Sequence, residues 1–254
     1  MRPPFSFLIV ITLLASAAVA NAQPAPPPPP PLWDVQIGAS FVGTSGNSDT
    51  SSAGADFGLH RRWLVWQIES AASAVRTSNQ DVRTAERYLG AFRGQRKLMP
   101  RIGLSAGIKL ERDQFSGMNF RSIPDVGLTW ALVNRPVWTL DGITAVALNH
   151  ENPTIGPERN NPIGVLQLLS RIPLGASGAT TQRVTFYPDF KDTDAYRSEM
   201  ELAAQAAMNS RFALKLGYLV RRSNAPVPGF KKTDTMTTAS VVMQWKASMP
   251  APTR

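Results

Sequence analysis

The sequence predicts an all-β fold, a transmembrane, antiparallel, up-and-down β-barrel of the outer-membrane type with about twelve strands, an even number as single-chain bacterial barrels have. Three observations predict it. Side-chain character alternates with a period of two along most of residues 33–246, so each segment has one apolar and one polar face. Connections alternate between short turns and longer polar loops, the arrangement of barrels with one periplasmic and one extracellular rim. The six Trp and four Tyr sort to opposite rims, where amphipathic rings find the two membrane interfaces.

The chain opens on an export signal. Arg2 supplies a positive start, Phe5 to Leu14 an apolar stretch, and Ala20-Asn21-Ala22 a small-residue cleavage site, so residues 1–22 read as a signal peptide. Residues 23–32 form a proline-rich spacer, because each Pro in the run Pro26 to Pro31 fixes φ and removes a donor. Residues 33–246 are expected to form the barrel and 247–254 a short periplasmic tail.

Within the barrel, Trp33, Val35, Ile37, Ala39 and Phe41 alternate against Asp34, Gln36 and Ser40. Ala53, Ala55, Phe57 and Leu59 alternate against Ser52, Asp56 and His60; Ile102 to Leu110 does the same against Ser105, Lys109 and Glu111. Val126 to Leu132, Trp138 to Leu148 and Phe212 to Val220 complete the clear segments. Residues near 64–75, 84–95, 163–170, 180–187 and 195–207 are less regular. The last, AYRSEMELAAQAA, is rich in helix formers, and its neighbours and the Asn209-Ser210 turn assign it to the sheet. Short turns are expected near Arg61-Arg62, Lys97 to Arg101, Asn134 to Pro136 and Asn209-Ser210, with a longer exception at Pro173 to Gly178. Longer loops are expected near Ser45 to Thr50, Thr77 to Val82, Asp113 to Asn119, Glu151 to Asn161, Asp189 to Asp194 and Ser223 to Lys232.

Composition excludes several functions. There is no Cys, hence no disulfide, thiolate metal site or lipoprotein anchor. No stretch of the mature chain approaches the roughly 18 apolar residues of a membrane helix. The formal charge of +9 would suggest nucleic acid in a cytosolic chain, but export points instead to outer-membrane lipids and lipopolysaccharide. Periplasmic chaperones and the barrel-assembly machinery are the partners expected during biogenesis. No catalytic, cofactor or metal site is expected; Asp189, Asp192 and Asp194 on one loop read as solvated rather than as a Ca²⁺ site.

Three surface features are singled out. The lower aromatic girdle comprises Trp33, Trp63, Trp66, Trp130, Trp138 and Trp245, and the upper one Tyr88, Tyr187, Tyr196 and Tyr218. A basic periplasmic collar comprises Arg61, Arg62, Arg96, Lys97, Arg101, Arg135, Arg171 and Arg211. Phe115 and Phe120 are expected to grip the outer interface, the alternative being a loop folded inward to narrow a pore.

The segments GNSDTSSAGADFGLHRRW (Gly46 to Trp63), TAERY (Thr84 to Tyr88), ERDQFSGMNFR (Glu111 to Arg121), YPDF with DTDAYR (Tyr187 to Arg197) and PGFKKTDTMTT (Pro228 to Thr238) resemble the YdiY-like family, domain of unknown function 481, labelled salt-induced outer-membrane proteins. The resemblance covers about Trp33 to Trp245 and implies an outer-membrane barrel with no catalytic residue to carry over. The polyproline start and the residues after Trp245 depart from that pattern.

The functional expectation is an envelope barrel with a structural or narrow-pore role. Twelve strands lie between about eight, which side chains fill, and about sixteen, which leave a channel. Asp56, Glu69, Arg87, Lys109, Glu111, Asp141, Glu199, Glu201, Lys215 and Arg221 are expected inside. The alternative is an outer-membrane hydrolase of phospholipase type using Ser122 and His150, one of only two histidines, with Asn149 and Asn152 nearby.

Overall fold

A computed structural model of the protein describes residues 32–45, 50–79 and 82–247. The expected signal peptide, the expected spacer before Leu32, Gly46 to Asp49, Gln80 and Asp81, and the expected tail beyond Ala247 lie outside the described residues. The chain forms β1 (Trp33–Ser45), β2 (Thr50–Arg62), β3 (Trp66–Asn79), β4 (Val82–Lys97), β5 (Ile102–Asp113), β6 (Met118–Arg135), β7 (Trp138–Pro153), β8 (Arg159–Leu174), β9 (Gly178–Tyr187), β10 (Arg197–Ala207), β11 (Phe212–Ser223) and β12 (Thr233–Ala247). Every strand pairs antiparallel with its sequence neighbours, and β1 pairs with β12, so the sheet is a closed barrel in chain order. Closure leaves no strand edge unpaired, which a low-dielectric surround requires.

The strands run from 10 to 18 residues, enough for tilted crossing, which takes about nine to eleven. The five segments with irregular patterning are all strands. AYRSEMELAAQAA is held extended because β9 and β11 supply a ladder on both sides of Arg197–Ala207; the sheet overrides the intrinsic preference for helix. Alternation sorts side chains as expected. Ile37, Phe41, Leu104, Val146, Leu148, Leu216 and Val241 are exposed on the outside, and the polar partners turn into the bore.

Two connections differ from expectation. The β8–β9 connection is the tight turn Gly175 to Ser177, with Gly175 at φ 65°, rather than a longer exception. Between β3 and β4 the ladder continues to Asn79↔Val82, so Thr77 to Asn79 and Val82 belong to strands where a long loop is expected. Both follow from the same cause: an antiparallel ladder extends as far as backbone donors and acceptors stay opposed, even where side chains no longer alternate cleanly.

Candidate functional site: a crossed and capped bore

The bore divides into two halves of different character. Toward the long loops it is crossed by ion pairs. Glu111 on β5 accepts from Arg87 on β4 at 3.3 Å, Arg121 on β6 at 3.2 Å and Arg221 on β11 at 3.0 Å. Asp113, two residues further on the same face of β5, also pairs with Arg221, and with Arg87 at 3.3 Å. Arg121 and Arg197 share Glu151 on β7 at 2.9 and 3.6 Å. Lys109 on β5 donates to both carboxylate oxygens of Glu199 on β10 at 2.8 Å.

Ring position gives these contacts their meaning. In a ring of twelve, β5 and β11 are six strands apart and therefore face each other across the lumen. The Arg221 contacts thus cross the bore instead of running along its wall, and Lys109–Glu199 crosses beside them. An apolar cluster of Ile123, Ala147, Ile163, Val165 and Tyr187, all buried, fills the β6–β9 wall at the same level. Tyr187 joins it to the charges: Lys109 and Arg197 lie 5.6 and 5.0 Å from its ring centroid.

The half toward the short turns is unevenly filled: Glu69 and Asp141 are exposed, whereas Ser105 on β5, Ala213 on β11 and Val242 and Gln244 on β12 point inward and are buried. At mid-height Arg183 and Glu201 pair at 2.8 Å with side chains 44 % and 39 % exposed. Arg93 forks onto Asp125 at 2.7 and 2.8 Å between the two levels.

Above the crossing, loops from facing sides of the ring meet over the mouth. The β5–β6 connection is a single turn of 3-10 helix, Gln114–Ser116, ended by Gly117 at φ 72°. Its position leaves no room for a side chain, since a Cβ on Gly117 would lie 2.5 Å from the Phe230 ring of the β11–β12 loop. Thr154 after β7 donates to the Gly117 carbonyl through N–H (2.8 Å) and Oγ (3.0 Å). Asn224 ties the β11–β12 loop to the β9–β10 loop by donating to the Asp194 and Tyr196 carbonyls. Beneath this cap lies a cavity of about 90 Å³ lined by Arg159, Asn161, Arg197, Arg221, Val227 and Lys231 among others. Phe115 is accordingly buried in the cap and does not grip the outer interface, whereas Phe120 faces outward and is exposed.

All ten residues expected in the bore carry inward parity in the observed register. Four further bore residues lie outside the ten: Asp113 and Glu151 fall in segments that the pattern assigns to loops, Arg121 falls between the Asp113–Asn119 loop and the clear segment from Val126, and Arg197 lies in the irregular segment 195–207, whose faces the pattern does not separate. The signal was present, since Lys109, Glu111 and Asp113 continue one period-two series.

The Trp girdle is assembled on the short-turn side of the outer surface. Trp130 Nε1 donates to Thr144 Oγ1 at 3.0 Å and Trp138 Nε1 to Ser170 Oγ at 3.1 Å, so these indoles satisfy themselves within the wall. In the upper girdle Tyr88 and Tyr218 are exposed outward, and Tyr196 packs on Phe186 at 5.7 Å between ring centroids. Tyr187 is a correction: β9 parity turns Phe186 outward and Tyr187 into the bore, where it is buried.

Of the basic collar, Arg61 and Arg96 face outward and lie over Trp63 and Trp66, at 4.4 and 5.6 Å from the ring centroids. Arg62, Lys97 and Arg171 have the opposite, inward parity, while Arg101, Arg135 and Arg211 are exposed at or next to turns.

Ser122 and His150 are direct cross-strand partners on the outward face. Asn160 on β8 holds the imidazole, its Oδ1 lying 2.6 Å from His150 Nδ1, and Phe120 flanks the ring at 6.2 Å. As the amide is oriented, Nδ1–H donates and Nε2 is left as the acceptor. Asn149 instead faces inward and accepts from Arg197, and Asn152 donates to Glu158. Among the described residues no group of three or more metal-binding side chains converges; Asp189 caps its own loop by accepting from the Lys191 and Asp192 amides.

Comparison with known proteins agrees with this architecture. Residues 37–245 match the family described as "Protein of unknown function, DUF481". The uncharacterized protein YdiY of Escherichia coli K12 is 25% identical over 211 residues, 81% of this chain and 80% of that protein. Among solved structures, the NanC porin is similar with a TM-score of 0.56 at 12% identity, covering 82% of this chain and 98% of that one. The COG4313 outer membrane channel from Pseudomonas putida F1 is similar with a TM-score of 0.52 at 11% identity, covering 89% and 100%.

Proposed function

We propose that this chain, which belongs to the family of unknown function DUF481, is a Gram-negative outer-membrane barrel with a narrow pore held shut in its outer half by ion pairs. The signal peptide is removed on export, the long loops face outward and the short turns face the periplasm. No substrate follows from the geometry. The observation that carries the reading is the contact of Arg221 on β11 with Glu111 and Asp113 on β5, across the full width of the ring. A scaffold needs only a wall, whereas a row of charges spanning the lumen has the form of a closed constriction.

Planar-bilayer recording tests this. The wild-type protein should hold near baseline current at moderate voltage. Removing the crossing links together, Lys109→Ala with Glu199→Ala and Arg221→Ala, should give discrete open steps. That combination deletes one ion pair whole, and Arg87 and Arg121 still answer Glu111, so little uncompensated charge is left behind. Flat traces from both proteins would make the barrel a scaffold; large steps from the wild type would refute the closed constriction.

A second reading, a hydrolase of phospholipase type, is favoured by one contact. The His150–Asn160 bond orients the imidazole opposite Ser122 on the outward face, as a base-orienting group does in a Ser-His-Asn arrangement. Fatty-acid release from phospholipid that disappears in His150→Ala would support it; no release by the wild-type protein would remove it.

A further inference from the structure

The short-turn rim has a composition that a rim bathed in water does not need. Each of its five connections carries an exposed apolar side chain at or next to its tip: Leu64, Met99, Val137, Leu174 and Met208, from 54 % to 95 % exposed. Turns that face bulk solvent ordinarily present Gly, Asn, Asp or Ser there. Beside four of these tips stand exposed cations, Arg61 and Arg96, Arg101, Arg135 and Arg211. The nearby acids are turned away: Asp34, Glu69 and Asp141 all have inward parity, and Asp34 is engaged with Lys246 at 3.8 Å. The outward surface of this rim is therefore apolar at its edge and positive just behind it.

Arg61 and Arg96 sharpen the point. Their guanidinium carbons lie over the Trp63 and Trp66 rings, 4.4 and 5.6 Å from the centroids, so charge and indole share one height on the outward face. A guanidinium beside an interfacial indole sits at the depth of lipid phosphates.

We infer that the periplasmic rim is a ring-shaped binding surface for anionic phospholipid of the inner leaflet. Arginines take the head-group phosphates by paired N–H contacts, and the apolar turn tips rest in the interfacial layer. An acidic soluble protein would meet the charge, but it would leave the apolar tips, continuous with the Trp girdle, without a partner. The inference rests on the outer-membrane placement proposed above and is independent of whether the bore conducts.

The test uses the full chain in phosphatidylcholine nanodiscs that contain a minor share of lipid brominated near the carbonyl end of its acyl chains. Intrinsic Trp fluorescence is read with the bromine carried by phosphatidylglycerol or, at equal mole fraction, by phosphatidylcholine. Wild-type protein should be quenched more by the anionic lipid. Combining Arg61→Gln, Arg96→Gln and Arg101→Gln should abolish that excess while the heat-modifiable band of the folded barrel persists. Arg→Lys at the same positions should retain part of it, since charge remains and stacking is lost. Equal quenching by the two lipids in wild-type protein, or an excess that survives the Gln substitutions, overturns the inference. Absence of quenching by either lipid would instead refute the membrane placement itself.

Discussion

Replacing Glu111 with Gln is expected to lower the unfolding free energy by about 3–5 kcal/mol, the cost of breaking a buried charge cluster by removing one partner. The Glu111 side chain is 1 % exposed and faces three guanidiniums, from Arg87, Arg121 and Arg221. Gln keeps the shape and one acceptor but removes the charge. Asp113 is left to balance Arg87 and Arg221, and Arg121 retains only Glu151. The neighbours have little freedom to relax, because Arg121 and Arg221 are themselves mostly buried and anchored on different strands. Urea unfolding in detergent micelles, followed by Trp fluorescence and by loss of the heat-modifiable band, measures the change. A loss below about 1 kcal/mol, the scale of an exposed pair, would mean that water reaches the cluster and that it does not close the bore.

Gly127→Ala is expected to prevent the barrel from closing in its native register. A Cβ at Gly127 would lie 2.2 Å from the Thr144 carbonyl oxygen and 2.5 Å from Ala145 Cα, and both atoms belong to the backbone of β7. No rotamer relieves such a contact; β6 and β7 must separate, breaking ladder bonds around the Gly127↔Ala145 pair. Overpacking ordinarily costs about 1–3 kcal/mol, and a backbone clash belongs at or above the top of that range. At so close an approach of two backbones only a residue without a side chain fits. Gly90→Ala is the matched control, because nothing lies within 4 Å of its Cβ direction. Folding into lipid vesicles, read by heat modifiability, should fail for Gly127→Ala and proceed for Gly90→Ala. Normal folding of both would show that β6 and β7 can move apart at little cost.

The wall of the molecule was legible residue by residue. Period-two alternation predicts which of Val35 and Gln36, or Leu110 and Glu111, faces out, and the observed register follows it around the ring. The outward placement of Trp33, Trp66, Trp130, Trp138 and Trp245 follows from the same parity. Tyr187 shows where counting toward a rim falls short: it has the right height but the wrong parity, and parity decides. The strand-end charges Asp113 and Glu151 read as loop residues, and Arg121 and Arg197 carry no assigned face, because a terminal polar residue looks the same in a loop and on the inner face of a strand.

Alternation along one segment is a local property, so the amino-acid order by itself determined the strands, their faces and the sheet's need to close on itself. It did not determine which inward charge meets which. That depends on ring position and stagger, which bring Arg221 within reach of Glu111, 110 residues away in sequence. The same holds for Phe230 on Gly117 and for Asn160 beside His150. Each joins segments whose approach is set only once the barrel has closed, because an electrostatic or packing contact requires atoms within a few ångströms and sequence spacing carries no information about that distance across a lumen.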